Sequence, residues 1–174
     1  MVLLQHPREA RLAICSAWLT RVGLENAEIH RGVRFEDHSR LREVVGTPGA
    51  ALLFPGPGTT PLEALCLAPP PFLVVVDGTW PQAEKMLRVN PTLAALPRAG
   101  LSPGRPSGYG ELRREPAPEH LSTIEAVALA LGTLEGDPAR FEPMVAAFRR
   151  SVELQLACAR GPRRNPRHRG GTAP

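Results

Sequence analysis

The run Phe72-Leu73-Val74-Val75-Val76 constrains this chain more than any other stretch. It has no polar face, so a strand built from it must be covered on both sides. That is the position of a central strand in a parallel sheet with helices above and below. The run stops at Asp77-Gly78-Thr79-Trp80-Pro81. Proline is well tolerated in the first helical turn, so a helix begins near Pro81, capped by Thr79 or Trp80. Ala83, Met86 and Leu87 line its buried face, and it ends near Asn90, before Pro91.

The flanking segments alternate in the same way. Val2–Gln5 reads as a buried strand, Arg8–Arg21 as a helix, Ala27–Phe35 as a second strand and Ser39–Val45 as a short helix. Within Arg8–Arg21, Leu12, Ala13, Ala17 and Leu19 supply the apolar positions, and Trp18 is read as core. Ala50–Phe54 is an apolar run stopped by the turn Pro55-Gly56-Pro57-Gly58. Residues 91–118 are rich in proline and glycine and read as mostly irregular; long irregular loops are often functional. Ser122-Thr123-Ile124-Glu125 is a capping box that opens a helix continuing through Leu134. Phe141–Ala159 is a final amphipathic helix, with Met144, Val145, Phe148, Val152 and Leu156 at helical spacing. The expectation is an α/β domain over residues 1–159 with a mostly parallel sheet, followed by a basic tail, 160–174.

Length and composition agree with that reading. A chain of 174 residues fits one domain. No apolar run reaches the roughly 18 residues of a membrane helix. Nothing basic precedes the apolar start, as a signal peptide would require, so a cytoplasmic location is expected. Cys15, Cys66 and Cys158 are isolated in sequence and read as small buried apolar residues, without disulfide or metal. The net charge of +4 is smaller than the contribution of the tail, which holds Arg160, Arg163, Arg164, Arg167 and Arg169 and no acid. Such an arm reads as disordered when free; it either neutralises nucleic-acid phosphates or merely solubilises the chain.

In open parallel sheets ligands bind beyond the carboxyl ends of the strands. Three loops therefore stand out: Phe54–Thr60, Asp77–Trp80 and the approach to Ser122. Asp77 ends the best strand and can orient a substrate or accept a proton, or bind backbone amides as a turn residue. Trp80 can stack on a nucleobase or anchor the helix that follows. Tyr109 with Arg113 and Arg114 suits stacking plus phosphate contact, or a solvated loop. His6 lies after the first strand, with no second histidine at ligand spacing. There is no P-loop, no Gly-x-Gly-x-x-Gly turn and no Gly-x-Ser-x-Gly elbow, which removes several enzyme classes.

Asp77-Gly78-Thr79-Trp80 resembles the Asp-x-Thr-Trp signature of the DTW-domain family, and the motifs around it match in order. Leu4-Gln5-His6-Pro7-Arg8-Glu9 resembles the opening His-Pro-x-Glu segment. Leu53-Phe54-Pro55 resembles the apolar strand ending in proline. Pro81-Gln82-Ala83-x-Lys85-Met86-Leu87 and Asn90-Pro91-x-Leu93 continue the signature. Tyr109-x-x-Leu112-Arg113-x-x-Pro116 and Leu121-Ser122-Thr123-x-Glu125-Ala126 complete it, so the likeness covers roughly residues 3–150.

The resemblance implies a knotted SPOUT-type fold, with a C-terminal trefoil knot that includes the loop before Ser122. It implies transfer of the 3-amino-3-carboxypropyl group of S-adenosylmethionine to a uridine in tRNA; related proteins modify ribosomal RNA. Asp77 is then the expected base. Leu53, Pro55, Gly78, Thr79, Leu121, Ser122, Thr123 and Glu125 are expected around the cofactor. Trp80, Tyr109, Arg113, Arg163 and Arg164 are expected to meet RNA. Many members carry a cysteine-rich segment before the His-Pro motif; this chain starts almost at the motif, so no metal is expected. An RNA methyltransferase of the same fold and a non-catalytic RNA-binding module are the competing readings, and the sequence leaves the oligomeric state open.

Overall fold

A computed structural model describes residues 1–12, 14–101 and 121–160. The strands are β1 (Val2–Gln5), β2 (Glu28–Arg31), β3 (Ala51–Leu53), β4 (Thr60–Pro61), β5 (Leu73–Asp77) and β6 (Arg98–Gly100). The α-helices are α1 (Ser16–Gly23), α2 (Ser39–Gly46), α3 (Trp80–Arg88), α4 (Pro91–Ala94), α5 (Thr123–Glu135) and α6 (Glu142–Arg160). All the described strand pairings are parallel, in the order β2-β1-β5-β3-β6-β4. The α/β class and the parallel sheet expected from the apolar runs are therefore present.

Strand alternation divides the core into two layers. Leu3, Leu53, Leu73 and Val75 face one side, where Ala17 of α1, Ile124 and Val127 of α5, and Val145 and Phe148 of α6 cover them. Val2, Leu4, Leu52, Val74 and Val76 face the other, against Leu41 and Val44 of α2, Met86 and Leu87 of α3, and Leu93 of α4. Both faces of β5 are used, as its composition requires.

Caps fix where the site helices begin. Thr79 caps α3 in a reciprocal box with Gln82, whose Oε1 accepts from the Thr79 backbone N–H at 2.8 Å. Ser122 and Glu125 form the expected box at α5, and Gly136 ends that helix in a left-handed conformation. Gly132 lies inside α5, where alanine would ordinarily gain about 1 kcal/mol of helix propensity. Here a Cβ would stand 2.9 Å from the Pro138 Cα, a backbone atom that cannot yield cheaply. Gly132→Ala should therefore lower stability by roughly 1–2 kcal/mol, because overpacking outweighs propensity. Chemical denaturation reads this directly, and a stabilised variant would show that the α5 contact is loose.

Several expectations need correction. The helix placed at Arg8–Arg21 is instead a 3₁₀ turn, Glu9–Arg11, and the shorter α1, which starts only at Ser16. Delaying the start to Ser16 turns Ser16, Ala17 and Thr20 inward and leaves Trp18 55% exposed and Leu12 49% exposed. Trp18 is thus not core. The stretch read as irregular from residue 91 holds α4 and β6 before residue 101. Cys15 and Cys66 are half-buried and Cys158 is exposed, so none is a fully buried apolar residue.

Candidate active site

The carboxyl ends of β1 and β5 carry the buried polar residues Gln5 and Asp77, and β3 ends beside them in Leu53-Phe54-Pro55. Asp77 is the last residue of β5 and only 5% exposed. By strand alternation it points to the side covered by α1 and α5. Its Oδ1 accepts from the Thr123 hydroxyl at 2.6 Å and the Ser16 hydroxyl at 3.4 Å. Its Oδ2 accepts from Gln5 Nε2 at 2.9 Å. One carboxylate thereby joins the first residues of α1 and α5 to the ends of β1 and β5.

Gln5 is fully buried, and its orientation is forced. The Arg31 Nε donates to Gln5 Oε1 at 3.1 Å, and an arginine can only donate. The amide nitrogen must then face Asp77, with Cys15 Sγ 3.1 Å away as a second acceptor. The result is a one-way chain of donors, Arg31 to Gln5 to Asp77. A carboxylate offers about four acceptor positions. Among the described residues both positions on Oδ1 are filled and one on Oδ2 is taken, so one on Oδ2 is left for a further partner.

A second cluster lies on the other face of the same edge. The rings of Phe54 and Trp80 stand 5.3 Å apart at a 47° tilt. The Arg98 guanidinium lies over Phe54 at 5.7 Å, and its Nη1 donates to the Pro55 carbonyl at 2.6 Å. Gly56, at φ +154°, lies so close to that guanidinium that any Cβ would collide with it. Arg98 thus pins the Phe54–Thr60 loop against the sheet edge.

The expected site residues separate accordingly. Asp77 and Thr123 touch, with Gly78, Thr79 and Trp80 following directly. Ser122 and Glu125 are buried and bonded to each other, the Ser122 hydroxyl donating to Glu125 Oε2 at 2.6 Å. Their capping role accounts for those contacts. Leu53 is buried in the core, which leaves only its backbone for a ligand. Pro55 is exposed and Leu121 half-buried beside this edge. Tyr109, Arg113, Arg163 and Arg164 lie outside the described residues, as do Arg114, His120 and the tail from residue 161. His6 takes a turn contact, its Nδ1 accepting from the Arg8 backbone N–H at 3.3 Å. Gln5, Ser16, Arg31 and Arg98 were not singled out from sequence as site residues. Of these only Gln5 had a usable signal, a polar residue ending an apolar strand.

Among the described residues no group of His, Cys, Asp or Glu could hold a metal ion. No described helix is long and apolar enough to cross a membrane. A cavity of about 570 Å³ opens at the opposite end of the sheet, between Leu19, Gly23, Phe141 and Met144 and beside Met1. It contains none of the expected site residues.

The fold and this edge define a class: a parallel α/β domain with a buried, multiply bonded aspartate between strand ends and helix N-termini. The chain belongs to the DTW-domain family, whose model matches residues 1–156. It is 32% identical over 162 residues to the tRNA-uridine aminocarboxypropyltransferase 2 of Drosophila melanogaster, covering 90% of this chain and 64% of that protein. The protein of that name from Mus musculus is 27% identical over 163 residues, 90% of this chain and 54% of its own length. That from Macaca fascicularis is 28% identical over 142 residues, 78% and 47%. The chain thus spans about half to two thirds of the curated relatives it matches. No solved structure matches it.

Proposed function

We propose that this chain transfers the 3-amino-3-carboxypropyl group of S-adenosylmethionine to a uridine of tRNA. The observation that carries the reading is Asp77, buried within the family signature with one acceptor position left. Family membership and the names of the relatives support the reaction and the RNA class. The same proposal takes the domain to be a knotted SPOUT-type fold in the cytoplasm. The parallel sheet and the return of the α5 N-terminus to the end of β5 support the fold part of that assignment.

The residues present suit the donor. The half-buried Phe54–Trp80 pair offers aromatic ring faces, tilted 47° to each other, on which an adenine or the target base can stack. The Phe54–Thr60 loop brings the small residues Gly56 and Gly58 to the edge, and Gly78 and Thr79 open α3 beside it. Leu53 through its backbone, Pro55, Gly78, Thr79, Leu121 and Thr123 would hold the donor, with Ser122 and Glu125 ordering the loop. Trp80, Tyr109, Arg113, Arg163 and Arg164 would meet RNA.

The donor supplies a γ-carbon already activated by its sulfonium. The uracil nitrogen between the two carbonyls forms the new N–C bond there. The C–S bond breaks, and its electron pair leaves with sulfur in methylthioadenosine. The proton lost by nitrogen goes to Asp77 through the remaining position on Oδ2. Burial keeps bulk water from competing for that proton, and the hydroxyls of Thr123 and Ser16 fix the plane of the carboxylate. Selecting the γ-carbon over the methyl carbon is then a matter of positioning.

The test uses donor labelled separately in the methyl and carboxypropyl carbons, with purified protein and unmodified tRNA. Carboxypropyl label in RNA with release of methylthioadenosine is the expected result. Methyl label would make the chain a methyltransferase, and no label from a protein that still binds RNA would make it a binding module.

A further inference from the structure

Trp18 is one of the two tryptophans, and α1 holds it 55% exposed. A tryptophan carries a large apolar surface that folding normally removes from water. Neither the packing of the described residues nor the proposed chemistry uses this one. Val22, four residues on, is 66% exposed, and Leu12, just before the helix, is 49% exposed. Residues four apart share one side of a helix, so Trp18 and Val22 form a single apolar strip.

The charge around that strip is mainly positive, with Glu25, exposed just beyond the end of α1, as an opposing charge. Arg8 and Arg11 are exposed on the turn leading into α1, and Arg21 is exposed three residues beyond Trp18. None of the three makes an ion pair among the described residues; Arg21 contacts only the Leu24 carbonyl, at 3.4 Å. The acid between the first two, Glu9, is buried. Ser16, the first residue of α1, donates to Asp77, and Trp18, two residues on, stands about 200° around the same helix on its solvent side, so one helix diameter, ~10 Å, lies between the strip and the carboxylate.

An exposed aromatic flanked by unpaired guanidinium groups is the chemistry that receives an unpaired base and its neighbouring phosphates. A second copy of this chain would bring the same arginines against themselves, so charge favours RNA as the occupant. We propose that the outer face of α1, with the turn before it, is the RNA-docking surface of this enzyme. Trp18 stacks on an unpaired base next to the target uridine, and Arg8, Arg11 and Arg21 meet the adjoining phosphates. The assignment rests on the proposed function and adds to it the side from which the RNA approaches Asp77.

The test measures unmodified tRNA binding and transfer for the wild type, Trp18→Ala, Trp18→Phe and the double variant Arg8→Gln/Arg11→Gln. Trp18 is exposed, so its replacement leaves the core intact. Trp18→Ala should weaken RNA binding and raise the KM for RNA by roughly 5- to 150-fold, the range for one stacked base. The kcat at saturating RNA and the affinity for the labelled donor should stay unchanged, and Trp18→Phe should recover much of the loss. A helix displaced from Asp77 would lower kcat instead, which would overturn the assignment. The double arginine variant should lower the slope of log affinity against log salt by about 1.4–1.8. Transfer by the wild type with unaltered RNA binding by Trp18→Ala would sink the α1 surface alone. A wild type that neither binds nor modifies tRNA would sink the proposed function and this surface with it. Trp18→Ala that converts a dimer to a monomer at unchanged RNA affinity would make the face a contact between copies and overturn the proposal.

Discussion

Asp77→Asn is expected to reduce transfer about 10²- to 10⁴-fold, the range for losing a positioned base, while the protein still folds. The structural part of the effect follows from the donor chain. Thr123 and Ser16 both donate to Oδ1, which an asparagine oxygen can replace. The new amide nitrogen must then face Gln5 Nε2, another donor. Gln5 cannot turn over, because Arg31 already donates to its oxygen. Two buried donors in opposition should cost about 1–3 kcal/mol, and roughly 2–12 °C in melting temperature for a chain of this size. Adding Gln5→Glu supplies an acceptor to both Arg31 and the new amide. The double variant should regain stability without regaining transfer, which separates the support of the carboxylate from its chemistry. Normal turnover by Asp77→Asn alone would exclude Asp77 as the base.

Asn90→Leu should give the largest loss of stability. Asn90 is 1% exposed and bonded through both ends of its amide: its Oδ1 accepts from the Phe35 backbone N–H, and its Nδ2 donates to the Val33 and Met86 carbonyls, each at 2.7 Å. It thereby ties the end of α3 to the segment that follows β2. Leucine has a similar volume but satisfies none of these groups. Stranding one buried N–H and two carbonyls should cost about 3–5 kcal/mol, or roughly 6–20 °C. Thermal unfolding measures it. A melting temperature close to the wild-type value would mean that water enters and replaces all three bonds. Asn90 belongs to the signature segment after Asp77, yet its contacts are those of a structural staple, so activity per folded molecule should persist below the transition.

The elements that could be read from sequence are those whose signal is local. Phe72–Val76 announced a strand covered on both faces because every residue in it is apolar, and β5 is that strand. Thr79 and Ser122 announced helix starts because a cap acts over three residues. β4 and β6 gave no such signal. They span two and three residues, include Pro61 and Gly100, and exist only because a neighbouring edge accepts them. Trp18 was misplaced because the onset of α1 sets which side faces inward, and no cap in the sequence marked Ser16. The position of Asp77 was legible from the end of its strand, but its partners were not. They lie 72, 61 and 46 residues away, at Gln5, Ser16 and Thr123, and only the completed sheet brings them together.

The sheet order has a consequence for the nascent chain. β5 is flanked by β1 and β3, both made before it. At roughly 5–20 residues per second, β1 leaves the ribosome about 4–14 s ahead of its central partner. During that interval it can pair only with β2, and Val2, Leu3 and Leu4 lack their covering layers. Pairings this distant in sequence also close slowly in refolding. Renaturation yield should therefore fall as protein concentration rises, because unpaired apolar strands from different molecules meet before the seventy-seventh residue of each has found its place.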